Sequence, residues 1–189
     1  MKVDLLFPSF IAKDKLLNKN IIDEVYQLKK IDPNGINVSN EGGWHSDDVT
    51  HIFKDLVFGI ESKCNMILND FQIGGFSKIT SSWVNCNKYK DFNRTHVHPM
   101  SFFSGVFYLK VPKNSGNIVF ENPNQLANNN FYGLKILSNN LVNSMSYEIQ
   151  PEENDLIIFN SHLPHFVKPN YSNEDRISIA FNAVIKNEV

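Results

Sequence analysis

From residue 14 to residue 30, apolar side chains recur close to every 3.6 residues: Leu16, Leu17, Ile21, Ile22, Val25 and Leu28. That spacing predicts an amphipathic helix over 14–30, with Asp14 as its N-cap. A loop rich in Asn and Gly follows, Asp32 to Trp44. Val49, Ile52, Phe53, Leu56, Val57, Ile60 and Ile67 repeat the helical pattern. They predict a second helix that starts near Ser46 or Asp47, and Gly74-Gly75 closes the helical region. From Phe76 the texture changes to short apolar runs divided by turn residues. These predict strands at 76–85, 94–98, 102–111, 116–121, 146–150, 155–160 and 176–186. The order implies a mainly β fold, a sandwich or barrel with helices packed on one side. The segment 122–145, which carries Asn128-Asn129-Asn130, is too long for an ordinary connection. It is either a flap over a site or an insertion without a role. With no repeat and no linker, one domain over 1–189 is expected. Its helical region, residues 1–75, would pack on a sheet-built region, residues 76–187.

Composition narrows the function classes. Of 189 residues, 42% are hydrophobic and 20% charged, which excludes wholesale disorder. A net charge of −2 provides no drive toward nucleic acid or an anionic membrane. The 15 phenylalanines favour a sheet-built core. Cys64 and Cys86 form no C-x-x-C and have no zinc spacing, so they read as reduced thiols of a cytosolic protein. No apolar stretch approaches the ~18 residues of a membrane span. The run from Met1 to Pro8 is too short for a signal peptide and is broken by Asp4. A soluble, cytoplasmic protein is expected.

The histidines bring in chemistry. Of six, four fall into two groups, His96-Val97-His98 and His162-Leu163-Pro164-His165. On a strand, residues i and i+2 share a face, so His96 and His98 can converge on one metal. The same pattern also suits a half-buried polar pair. Arg176 and Ser178 again stand at i and i+2, in the apolar strand 176–186. A guanidinium there is costly unless it meets an anion, either a bound carboxylate or an internal Asp or Glu. His45 follows Trp44 in the Gly-rich loop and could line a pocket. His51, on the second helix, belongs at the surface, His162 in a loop, Trp83 and Phe103 in the core. Lys88, Lys90 and Arg94 form a solvated basic face.

Taken in order, these residues resemble a known family. The series Asn85, His96-x-His98, Ser104-Gly105-Val106-Phe107-Tyr108-Leu109, Gly116-x-Ile118-x-Phe120, His165 and Arg176-x-Ser178 is similar to the Fe(II)/2-oxoglutarate-dependent oxygenases. More closely, the chain resembles a small group of such oxygenases common in marine bacteria and their phages. Gly42-Gly43-Trp44-His45-Ser46, Trp83-Val84-Asn85 and the closing Arg176-Ile-Ser-Ile-Ala-Phe-Asn182 carry that closer likeness, which covers residues 38–184.

The resemblance implies a double-stranded β-helix, or jelly roll. It implies Fe(II) held by His96, His98 and His165, and 2-oxoglutarate held by Arg176 and Ser178, with Tyr108 as an extra donor and Asn85 as a further contact. The implied reaction consumes O₂ and 2-oxoglutarate, releases succinate and CO₂, and hydroxylates a substrate. Analogy with prolyl hydroxylases points to a peptide or protein side chain; a phage-encoded chain would act in the host cytoplasm. Position 98 departs from most of the superfamily, which has Asp or Glu there, and three neutral imidazoles also suit zinc, copper or nickel. Asp91 and Glu121 are alternative carboxylate ligands, but neither has the i+2 relation. Two rival readings stand beside this one. One is a cupin-like three-histidine dioxygenase that uses no 2-oxoglutarate, against which the Arg176-x-Ser178 pair argues. The other is a non-catalytic jelly-roll binding protein.

Overall fold

In the computed structural model, residues 1–17, 20–124 and 133–187 are described. The elements in order are β1 (Ile11–Lys15), α1 (Ile22–Ile31), β2 (Asn40–Glu41), β3 (Trp44–His45), α2 (Lys54–Asp70), β4 (Phe76–Asn87), β5 (Phe92–His96), β6 (Phe103–Lys110), β7 (Ile118–Glu121), β8 (Ser146–Ile149), β9 (Asp155–Asn160), β10 (His165–Val167) and β11 (Arg176–Lys186). They form two antiparallel sheets. The larger has the order β1-β9-β6-β11-β4-β3, the smaller β2-β5-β10-β7-β8. This is a jelly roll with two N-terminal helices. Strand alternation gives the large sheet two apolar faces. One packs on α1 and α2 through Val25, Leu56, Ile60, Leu68, Val84 and Ile179. The other meets the small sheet through Val106, Tyr108, Ile118, Phe120 and Phe159. Cys64 and Cys86 are buried free thiols. Among the described residues no helix is long and apolar enough to cross a membrane.

The helix expected at 14–30 is shorter, and a strand precedes it. Asp14 lies in β1, opposite Leu156, and caps nothing. Lys13 and Lys15, on one face of β1, both pair with the buried Asp155 carboxylate at 2.8 and 2.9 Å. Those ion pairs and the ladder to β9 outweigh the helical spacing. At the start of α1 the Asn20 Oδ1 accepts the Ile22 N–H. The second helix begins at Lys54 rather than near Ser46, because Ser46 and Val49 are bonded to β4: their N–H groups donate to Val84 O and Ser82 O. Ile52, expected inward, is largely exposed, and His51 sits in a turn at the surface.

Four strands escape a period-based reading: β1, β2, β3 and β10. Each has only two or three residues or lies at a sheet edge. The strand expected at 94–98 is shifted to 92–96, so His98 lies beyond its end. The tip Asn128–Asn130 of the 122–145 segment lies outside the described residues. The stem of that segment is closed where Asn122 N–H donates to Met145 O, making it the loop of the β7–β8 hairpin.

Candidate active site

Between the two sheets lies a cavity with two chemically different walls. The small sheet supplies histidines. His96 ends β5, and His165 opens β10 directly opposite it in register, with Phe120 of β7 on its other side. His98 reaches the same place from the loop, because its N–H donates to Ser161 O at 2.9 Å. The strand-face argument for the pair is therefore corrected: a loop bonded to Ser161, not strand alternation, brings His98 beside His96. One ring nitrogen of each of His96, His98 and His165 could ligate a metal, and these atoms lie within 4.8 Å of one another. Neither Asp91 nor Glu121 belongs to this group; Asp91 Oδ2 instead accepts the Lys88 N–H at 2.7 Å. His162 is exposed and stands apart.

The tautomers follow from hydrogen bonding. Nδ1–H of His96 donates to Arg94 O at 2.7 Å, and Nδ1–H of His165 donates to Leu163 O at 2.8 Å. A carbonyl only accepts, so both rings carry their proton on Nδ1 and leave the Nε2 lone pair free. Burial lowers all three pKa values, most for His98, to about 3, and for His165, to about 4. All three are neutral bases at pH 7, the form that ligates a metal.

The large sheet supplies the polar wall. Asn85 of β4, Ser178 of β11 and Tyr108 of β6 are cross-strand partners in one row. Partners in register share a face, so all three side chains point inward. One step along β11 comes Arg176, 1% exposed. Its Nη1 donates to Ser115 O and Lys168 O. Gly116, at φ 89°, makes room, since a Cβ there would press on that nitrogen and on Lys168 O. No described carboxylate pairs with the guanidinium, so the internal salt bridge is not its partner. Among the described residues only its Nη1 has a hydrogen-bond partner, and the side chain lines the cavity together with Ser178, Tyr108 and Asn85. Burial pulls the Arg176 pKa down from a value so high that the guanidinium stays cationic, and it pushes the Tyr108 hydroxyl up, which keeps that group a neutral donor. Among the described residues the buried Asn85 Oδ1 has no hydrogen-bond partner. A cation with unspent donors, aimed into a cavity, fits an anionic ligand. Three converged neutral imidazoles fit a divalent metal.

Comparison with known proteins agrees with this chemistry. The family described as "Putative 2OG-Fe(II) oxygenase" matches residues 81–182, more than half of the chain. The chain belongs to that 2OG-Fe(II) oxygenase family. It is thus an Fe(II)- and 2-oxoglutarate-dependent oxygenase, with O₂ and 2-oxoglutarate as co-substrates. No curated protein matches it. Solved structures share its fold at low identity. A Pseudomonas putida prolyl-4-hydroxylase is 13% identical, covering 94% of this chain and 93% of that one, with a TM-score of 0.62. A Trichoplax adhaerens prolyl hydroxylase, in complex with a hypoxia inducible factor peptide fragment, is 14% identical over 95% and 84%, with a TM-score of 0.60. HygX from Streptomyces hygroscopicus, with nickel, 2-oxoglutarate and hygromycin B bound, is 9% identical over 94% and 84%, with a TM-score of 0.62.

Three cavity residues were not expected at the site from the sequence. Trp83, expected in the core, is half-buried and lines the cavity, as do Asn93 and Ser39. Asn93 pairs in register with Val167, and its Nδ2 donates to Ser39 Oγ at 3.3 Å. No spacing rule marks Ser39, because it comes in from a loop before the two-residue β2. His45 is 5% exposed and sits in register beside Asn85.

Proposed function

We propose that His96, His98 and His165 hold the Fe(II), that Arg176, Ser178, Tyr108 and Asn85 hold 2-oxoglutarate, and that the enzyme hydroxylates a peptide side chain. The observation that supports this reading most is a buried Arg176 with no carboxylate of its own, facing three neutral imidazoles across one cavity. Arg176 neutralises the far carboxylate of the co-substrate, and the Ser178 and Tyr108 hydroxyls donate to it. Bound Fe(II) supplies the redox chemistry, in which one oxygen atom of O₂ goes to succinate and the other to the hydroxylated carbon. Phe120 and Phe159, whose rings lie 5.8 and 4.6 Å from His165, keep water away from the reacting end.

The peptide assignment draws on the prolyl hydroxylases of like fold, one of which carries a peptide, and is an analogy. The 122–145 loop fits a flap at the histidine end. Its root, Glu121, donates its N–H to Pro164 O, one residue from His165. A cupin-like dioxygenase without 2-oxoglutarate leaves the Arg176 donors unexplained.

Anaerobic titration of the Fe(II)-loaded protein with 2-oxoglutarate tests the assignment. A metal-to-ligand charge-transfer band that saturates with 2-oxoglutarate is expected. A metal-loaded protein that gives no band and binds no 2-oxoglutarate would overturn it.

A further inference from the structure

Of the three histidines, His98 is held differently. His96 and His165 are each oriented by an Nδ1–H bond to a backbone carbonyl. The His98 ring makes one hydrogen bond among the described residues, from Nε2 to His165 Nε2 at 3.3 Å. The His165 atom that accepts in that bond is the one whose lone pair a metal would take. Loading the site therefore removes the only polar contact of the His98 ring among the described residues, and leaves the residue held by its backbone bond to Ser161 O alone.

What remains around the ring is aromatic. Beyond the other two histidines, Trp83 lies 5.8 Å from His98, centroid to centroid, and Phe159, already packed on His165, lies 6.5 Å away; His45 stacks on Trp83 at 5.5 Å and 9° between planes. This stack is itself fixed. Ser82 and Val84, either side of Trp83, give both their backbone groups to the segment 46–49. Ser82 N–H donates to Asp48 Oδ1 and Val84 N–H to Ser46 Oγ, while Ser82 O and Val84 O accept from Val49 and Ser46. His45 is pinned by β3–β4 pairing and by its own Nδ1–H bond to Ser46 O at 2.8 Å. The preceding Gly42 and Gly43, at φ 64° and 65°, form the turn that starts β3.

We propose that Trp83, backed by His45, is the positioning element of His98: an aromatic brace that replaces the missing carbonyl bond and keeps the third imidazole aimed at the metal. This rests on the three-histidine reading. It gives the Gly42-Gly43-Trp44-His45-Ser46 segment, which lies outside the matched residues 81–182, a role in metal binding. Groups that orient metal ligands through contact commonly change affinity by about 10- to 100-fold when removed. Trp83 is half-buried, so its replacement leaves the two hydrophobic cores in place.

The probe is Co(II), added to metal-free protein and followed by chelator competition and by its visible spectrum. Trp83→Leu is expected to weaken Co(II) by about 10- to 100-fold and to alter the spectrum, with circular dichroism unchanged. Trp83→Phe, which keeps a ring at that position, restores most of both. His45→Ala alone has a smaller effect and adds nothing to Trp83→Leu, as a single chain of contacts requires. His98→Ala is the reference. If His98→Ala binds Co(II) like the wild type, the three-histidine reading falls. If His98→Ala loses Co(II) while Trp83→Leu keeps wild-type affinity and spectrum, the brace alone falls. Should Trp83→Leu fail to fold, Trp83→Phe and His45→Ala decide, and wild-type Co(II) binding by His45→Ala overturns the proposal.

Discussion

The histidine wall and the arginine wall face one cavity but are built on opposite principles. The histidine wall uses short, irregular pieces. β10 has three residues, the β5–β10 ladder is bulged between His165 and Val167, and His98 stands in the loop after β5. Its donors are neutral, and two of the three rings are only half-buried. The arginine wall uses β11, eleven residues long and paired on both sides, with Arg176 and Ser178 buried. The difference follows from what each must do. A buried cation is tolerable only where the backbone around it is fixed and its free donors meet an anion. On the proposed assignment the histidine wall is a metal centre that admits O₂ and a substrate; it then needs one open side, and irregular backbone leaves room for it.

Separate walls should fail separately. Arg176→Ala is expected to weaken 2-oxoglutarate binding by well over tenfold, since losing a buried charge-assisted pair costs about 2–5 kcal/mol. Its metal content should match the wild type. His165→Ala should do the reverse at the first step and bind no metal. Metal content by mass spectrometry and calorimetric titration with 2-oxoglutarate check the pair. Unchanged 2-oxoglutarate affinity in a folded Arg176→Ala protein would falsify the anion role of the arginine wall.

A smaller effect should separate substrate from co-substrate. The 122–145 loop roots beside His165, not beside Arg176. Shortening it by removing Asn128–Asn130 should leave 2-oxoglutarate affinity and substrate-free decarboxylation unchanged, yet lower hydroxylation of an accepted peptide severalfold. Wild-type turnover on that peptide after trimming would remove the loop from the site.

Arg176 and Ser178 were readable in the sequence because period 2 holds along a long strand, whereas Asn85 and Tyr108 were named only through family likeness, since cross-strand register is invisible in one sequence. In the histidine wall the His-x-His spacing named His96 and His98, and family likeness added His165. A strand of three residues has no period, so β10 left no pattern around His165. The i+2 rule named His98 for a reason the fold does not use, since β5 ends two residues earlier. The N-terminal region misled most: Leu16 and Leu17 sit at helical spacing, but Lys13 and Lys15 tie the preceding residues to Asp155 as a strand. Charge pairing between residues so far apart in sequence is invisible to a local window. Trp83 and His45 were missed as neighbours because their contact is made by a two-residue strand set by a glycine turn.

The smallest expected effect concerns Asn85, and it tests whether the row on the large sheet is shaped for its ligand or for stability. Among the described residues its buried Oδ1 has no hydrogen-bond partner, a condition that costs about 1–3 kcal/mol. In a wall built only for stability such a group is a defect. In a co-substrate wall it is tolerated because the same amide donates through Nδ2 when 2-oxoglutarate is bound. Asn85→Ala removes the orphan acceptor and the donor together. The metal-free protein should therefore keep or slightly raise its Tm, because relief of the orphan offsets the lost packing. Affinity for 2-oxoglutarate should fall severalfold, about the 1 kcal/mol of one hydrogen bond. Thermal melts and calorimetric titration read the two signs separately. A lowered Tm with unchanged 2-oxoglutarate affinity would make Asn85 a structural residue and leave Ser178, Tyr108 and Arg176 as the whole of the arginine wall.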